Sequence, residues 1–173
     1  MSTDDGTATY RDGRALMRFE RRLRHPAERV WRALTDPAEL SAWLADADLE
    51  PRAGGKFELR WLNAGDDGER AVARGTVSAF DPPRLLELDS DIHGRLRWEL
   101  TPTPEGTLLV FTSDNRMPPE YLARTLAGWH VHLDYLADAL EGRRVDWARW
   151  TTEGWQVHHD RYAERLGQAA PDA

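Results

Sequence analysis

His25-Pro-Ala-Glu-Arg-Val-Trp-Arg-Ala-Leu-Thr-Asp-Pro-Ala-Glu-Leu-Ser-Ala-Trp-Leu44 (HPAERVWRALTDPAELSAWL) reads as two short helices in immediate succession. Val30, Trp31 and Leu34 make one apolar face, and Leu40, Trp43 and Leu44 make another. Thr35-Asp36-Pro37 stops the first helix and starts the second. Asp36 suits an N-cap, and Pro37 at the first helical position gives up only a donor that has no partner there. Helices this short are not stable alone. Something larger must hold them.

The sequence on either side supplies it. Ala15 to Arg24 alternates, with Met17, Phe19 and Leu23 on one face, as in a strand. After the helix pair, Gly54-Gly55 opens Lys56 to Leu62, where Phe57, Leu59 and Trp61 alternate with charged residues as in a half-buried antiparallel strand. Further strands are predicted over Ala71–Phe80, Arg84–Ser90, Arg95–Thr101 and Thr107–Ser113, separated by turn clusters such as Asp81-Pro82-Pro83 and Thr103-Pro-Glu-Gly106. From Pro118 to Glu141 the period changes. Leu122, Leu126, Trp129, Leu133, Leu136 and Leu140 recur at spacings of four and three, which predicts one long amphipathic helix ending near Gly142. A second helical segment is predicted over about Asp146–Leu166.

A curved sheet with one apolar face needs a cover, and only the long helix is able to span it. The helix pair then closes one end as a plug. The expected organisation is a disordered tail over residues 1–14, one α+β domain over 15–142, a helical extension over 143–167 and a disordered end over 168–173. The Trp-rich extension is expected to pack on its own domain or on a second subunit, as in a homodimer.

Composition excludes several functions. The 173 residues carry a net charge of −7, which argues against nucleic acid and anionic membrane surfaces as general partners. There is no Cys, so disulfides, thiolate metal sites and cysteine nucleophiles are absent. No apolar run reaches the ~20 residues of a membrane span, and the N-terminus lacks a signal-peptide core, so a cytoplasmic location is expected. Eight Trp are many for this length and point to a core, cavity or interface.

Several pieces together resemble a known family: Pro26-x3-Val30-Trp31, Asp36-Pro37-x2-Leu40-x2-Trp43, Gly54-Gly55-x-Phe57, Gly75-Thr76-Val77 with Asp81-Pro82-Pro83, Trp98-Glu99-Leu100, and Gly128-Trp129 with Leu133-Asp134 and Leu140-Glu141-Gly142. In this order they resemble the START-like (SRPBCC, birch-pollen-allergen-like) superfamily, and within it the branch named after the C-terminal domain of the activator of heat-shock protein 90 ATPase. The resemblance implies a helix-grip fold, a curved antiparallel sheet wrapped around a long C-terminal helix with a cavity between them. It implies binding of a small hydrophobic or aromatic ligand there. Two alternatives are an enzyme of polyketide cyclase or hydrolase type, and a chaperone-associated or metabolite-sequestering resistance protein. A chaperone partner is not supported by the chain's length, which leaves no room for the activator's separate N-terminal domain.

The residues expected to line the cavity are Arg21, Trp43, Trp61, Ala73, Val77, Trp98, Trp129, His132 and Tyr135. Trp61 and Trp98 share the inward parity of their strands, and the small face of Ala71 to Ala79 leaves space opposite. Arg21 also points inward, as an internal ion pair with Asp114 or Asp134 or as an anchor for an acidic or carbonyl-bearing ligand. His132 and Tyr135 lie on a polar stripe beside the leucine stripe, and with Arg21 they are the proton-transfer candidates of the enzyme alternative. No catalytic motif stands out. His130 and His132, two apart on a helix, point in nearly opposite directions, as do His158 and His159, so no metal and no cofactor are expected.

Overall fold

The computed structural model describes residues 5–65 and 68–169. Eight antiparallel strands form one sheet: β1 (Thr7–Arg11), β2 (Arg14–Leu23), β3 (Ala45–Leu49), β4 (Lys56–Trp61), β5 (Val72–Asp81), β6 (Leu85–Ser90), β7 (Gly94–Thr103) and β8 (Gly106–Arg116). Their spatial order is β1-β2-β8-β7-β6-β5-β4-β3. Helices α1 (Ala27–Thr35) and α2 (Pro37–Leu40) follow β2, and α3 (Leu122–Leu140) and α4 (Glu153–Ala169) follow the sheet. This is the helix-grip α+β architecture. Strands β3 to β8 form an unbroken meander, so the chain must cross the sheet once, from β2 to its far edge at β3. The helix pair carries that crossing.

Alternation sets the core. Ala15, Met17, Phe19 and Leu23 of β2, Phe57, Leu59 and Trp61 of β4, Leu96, Trp98 and Leu100 of β7, and Leu109 and Phe111 of β8 are all buried. Opposite them the α3 stripe from Leu122 to Leu140 is buried at each expected position. The plug is held by both layers. Trp43 is fully buried and donates its Nε1–H to the Ala33 carbonyl at 2.9 Å, tying α1 to the turn after α2. Trp31 meets Phe80 of β5 edge to face at 5.3 Å. Asp36 accepts from the Ala38 amide at 2.8 Å, the cap expected ahead of Pro37.

Two strands differ from the sequence expectation. Residues 7–11 were expected in a disordered tail but form β1, paired with β2 through Asp12-Gly13. Both turn residues have positive φ, 52° and 74°, as a two-residue hairpin turn requires. Four of the five β1 residues are exposed, so hydrophobic periodicity carries no trace of it. Gly6 passes so close to β2 that a Cβ there would lie 2.3 Å from the Phe19 ring. Strand β3, whose Ala45 and Ala47 face inward, was also missed. Residues 1–4 and 170–173 lie outside the described residues, while 168 and 169, expected in the disordered end, belong to α4.

Gly142 closes helix α3 just past its last turn, and its φ of 83° supports hydrogen bonds from the Gly142 amide to Ala139 O and from the Arg143 amide to Asp138 O. The chain then returns over the plug, where Trp147 Nε1 donates to Ser41 O at 2.8 Å and the Val145 amide to Ala42 O at 3.0 Å. The single helix expected over 146–166 is instead a short 3-10 turn at Trp147–Arg149, an extended bend at Trp150 and then α4.

Helix α4 docks on α3 of its own domain through polar contacts. Arg21 Nη2 reaches Asp134 Oδ1 at 3.2 Å, and Asp134 Oδ2 lies 3.2 Å from His158 Nε2 and 3.6 Å from His130 Nε2. The His130 and His158 rings stack at 3.8 Å. Tyr162 is buried, accepts from the Gly6 amide at 2.7 Å and sits 2.7 Å from His130 Nδ1. Asp5 pairs with Arg161 at 3.3 Å and Arg165 at 3.1 Å. These contacts close the N-terminal segment over α4.

Trp43→Ala is expected to cost on the order of 3–5 kcal/mol, measured by chemical denaturation; an unchanged midpoint would remove the plug from the stabilising framework. Tyr162→Phe leaves two buried partners unsatisfied and is expected to cost about 1–3 kcal/mol. Burial holds the His130 imidazole down at about 4. Between about pH 6.5, where an unfolded histidine titrates, and pH 4 the unfolded chain therefore binds a proton that the native state refuses. Stability is complete above that window and declines as pH falls through it. Thermal melts from pH 7.5 to 4.5 check the slope, and His130→Gln should lessen it by one imidazole's share, since burial holds His93 and His132 down at about 4 as well.

Candidate functional site

The two ends of the gripped helix differ. At one end the plug and the β5–β6 and β7–β8 turns close the space between sheet and α3. At the other, the ends of β4 and β8, the β4–β5 loop, the β6–β7 turn, the first half of α3 and the bend before α4 leave an open cleft of about 850 Å³. Trp61 and His93 come from the sheet side, Gly128, Trp129 and His132 from α3, and Trp150 and Trp155 from the C-terminal segment.

The floor is a cluster of rings meeting edge to face. Trp61 lies 5.6 Å from Trp129, 5.2 Å from His132 and 5.1 Å from His93, and His93 lies 5.8 Å from Trp129. Beneath it Trp129 packs on Phe111 at 4.6 Å. Trp61 Nε1, Asn63 Oδ1, His93 Nε2 and His132 Nε2 are buried and lack a hydrogen-bond partner among the described residues. His132 Nδ1 is 2.7 Å from the Gly128 carbonyl, so Nδ1 carries the ring proton and Nε2 a bare lone pair. Burial holds both His93 and His132 down at about 4, so both are neutral at pH 7. An imidazole of such low basicity accepts hydrogen bonds but is a weak general base.

Of the nine residues expected at the cavity, the structure brings Trp61, Trp129 and His132 together on its wall. The other six lie elsewhere. Trp43 belongs to the plug. Trp98 lies deeper in the core against Phe111 at 5.0 Å. Ala73 and Val77 are fully buried in the core, and the small face they belong to serves close strand approach: a Cβ at Gly75 would lie 1.8 Å from Asp89 O. Only Ala71 of that face reaches the cleft. Arg21 is the internal ion pair with Asp134. Tyr135 lies behind His132 and takes the Trp150 Nε1–H at 3.1 Å. Sequence reasoning missed His93 and Trp150, whose turn and bend positions show no periodicity.

It also missed that His130 and Asp134, one helical turn apart, meet His158, with their ligand atoms within 4.8 Å of one another. The donor set does not fit a metal ion. The two rings are stacked within 22° of parallel, so their in-plane lone pairs cannot converge on one point. Arg161 Nη2 donates into His158 Nδ1 at 2.6 Å, which leaves the ring proton on the Nε2 that would have to ligate. Arg21 already neutralises the carboxylate. The cluster fastens α4.

Comparison with known proteins agrees with this architecture. CalU16 from Micromonospora echinospora is similar in fold, with a TM-score of 0.69, 22% identity and coverage of 93% of this chain and 95% of that one. The AHSA1-like protein from Aeromonas hydrophila has a TM-score of 0.63 at 24% identity over 73% of this chain and 92% of its own. Protein MLL2253 from Mesorhizobium loti has 26% identity and a TM-score of 0.62 over 75% of this chain and 99% of its own. No curated protein matches. Among the described residues no helix is long and apolar enough to cross a membrane. The family model for Activator of Hsp90 ATPase homolog 1-like proteins matches residues 24–141, from the plug to the end of α3, and the chain belongs to that family.

Proposed function

We propose that this protein binds a small, predominantly aromatic molecule in the open cleft between α3 and the sheet. The observation that carries the reading is the ring-lined floor of Trp61, His93, Trp129 and His132, with buried ring nitrogens that have no partner among the described residues. Leaving such groups unsatisfied costs about 1–3 kcal/mol each, a cost that a complementary ligand removes. The volume, about 850 Å³, lies within the usual range for small-molecule sites. Two tryptophans of the C-terminal segment, Trp150 and Trp155, complete the wall, so the extension contributes to recognition as well as stability.

The cyclase or hydrolase alternative draws on the same His132. Its depressed basicity favours an accepting role over proton abstraction at neutral pH, and Arg21 and Tyr135 are engaged elsewhere.

Titration with a panel of two- and three-ring aromatic compounds is expected to quench tryptophan fluorescence saturably in the micromolar range, about −8 kcal/mol. Gly128 supplies the control. It lines the cleft, and a Cβ added there meets no atom within 4 Å. Gly128→Leu should place a side chain in the space and weaken binding at least about tenfold. Its melting temperature should hold or rise, because glycine is the poorer helix former by about 1 kcal/mol. A panel without any saturable response would reject the receptor reading.

A further inference from the structure

Two residues of the cleft floor carry opposite halves of a hydrogen-bond code. Trp61 Nε1–H is a donor and nothing else. His132 Nε2, with its ring proton fixed on Nδ1 by the Gly128 carbonyl at 2.7 Å, is an acceptor and nothing else. Both atoms are buried, neither has a partner among the described residues, and their rings touch with centroids 5.2 Å apart. Native structures leave few buried polar groups unpaired, and here a donor and an acceptor are left on two rings in contact.

Resting on the receptor reading above, we infer that the cleft selects aromatic molecules bearing a neutral hydroxyl group, a phenol, whose oxygen accepts from Trp61 Nε1 and whose proton goes to His132 Nε2. A hydroxyl is the smallest group that donates and accepts from one atom. A carboxylate or phenolate oxygen satisfies Trp61 but sets a lone pair against the lone pair of His132. An ammonium satisfies His132 but sets N–H against N–H at Trp61. An ether or an unsubstituted ring leaves the acceptor unmet. The surrounding rings of Trp129 and His93 favour an aryl carrier over an aliphatic alcohol. The neutrality of His132, held at about 4 by burial, keeps the acceptor available across the physiological range.

Isothermal titration of the full chain at pH 7 with naphthalene, 2-methoxynaphthalene, 2-naphthol and 2-naphthoate tests this. The naphthol should bind about tenfold or more tighter than the methoxy compound, one hydrogen-bonded pair's difference, and the naphthoate should fall below the naphthol. His132→Phe and Trp61→Phe each keep a ring and remove one half of the code. Each should shrink the naphthol-to-methoxynaphthalene ratio to below about threefold, read in whichever variant retains a cooperative melt. Equal affinities for naphthol and methoxynaphthalene in the unaltered protein would overturn the hydroxyl inference while leaving the receptor reading in place. A naphthol preference that survives both substitutions would overturn the assignment to this pair. Binding of none of the four would count against both readings.

Discussion

Trp129 is the point where the closed core ends and the open cleft begins. On its inner side it packs on Phe111 at 4.6 Å and Trp98 at 6.4 Å, and on its outer side it meets Trp61 at 5.6 Å and His93 at 5.8 Å. Each such pair contributes about 0.5–1.5 kcal/mol beyond the area it buries, and each has a preferred geometry. One ring therefore fixes the rotation of α3 for both compartments at once. Leu126 and Leu133 extend the seal along the helix, while Gly128 beside it leaves the cleft side unfilled. The same helix thus presents a filled face and an unfilled face within one turn.

The opposite flank of α3 is held by different physics. A 19-residue helix gripped by a sheet has a back, and here the back carries His130 and Asp134 in place of leucines. The partly exposed Asp134 offsets buried Arg21, and His158 and Tyr162 of α4 supply the remaining hydrogen bonds. Breaking such a pair from one side is costly, while the intact set adds little raw stability. Its effect is geometric. It fixes α4, and with it the bend that brings Trp150 and Trp155 to the cleft wall, so a polar network outside the site sets one wall of the site.

Periodicity read well where one face of an element meets a core. The alternation of β2, β4, β7 and β8 and the four-three spacing of α3 gave the architecture. Strand β1 escaped because its side chains are nearly all exposed; its one local mark was Asp12-Gly13, the dipeptide of a two-residue hairpin. The cleft was harder to read for a related reason. Parity tells which face of the sheet a residue occupies but not how far along the gripped helix it lies. Trp61 and Trp98 share parity, yet Trp61 ends its strand at the open end and Trp98 sits mid-strand in the sealed core. Residues of the β6–β7 turn and the Trp150 bend carry no period at all, and the His130–Asp134–His158 cluster joins two helices whose contact no local pattern encodes.

The tie between the first and last described elements has a consequence for the order of events during synthesis. The Gly6 amide and the Tyr162 hydroxyl are 156 residues apart in sequence, so the loop their bond closes takes in almost the whole domain. Such a contact forms late. Helix α4 also leaves the ribosome after every strand and α3 have been made. Until it arrives, the nascent domain holds a paired sheet around a helix whose charged flank faces water, with β1 attached only through its hairpin. The cleft wall is missing for the same interval. The wall that Trp150 and Trp155 give the cleft is therefore completed only once the chain through α4 has been made and docked.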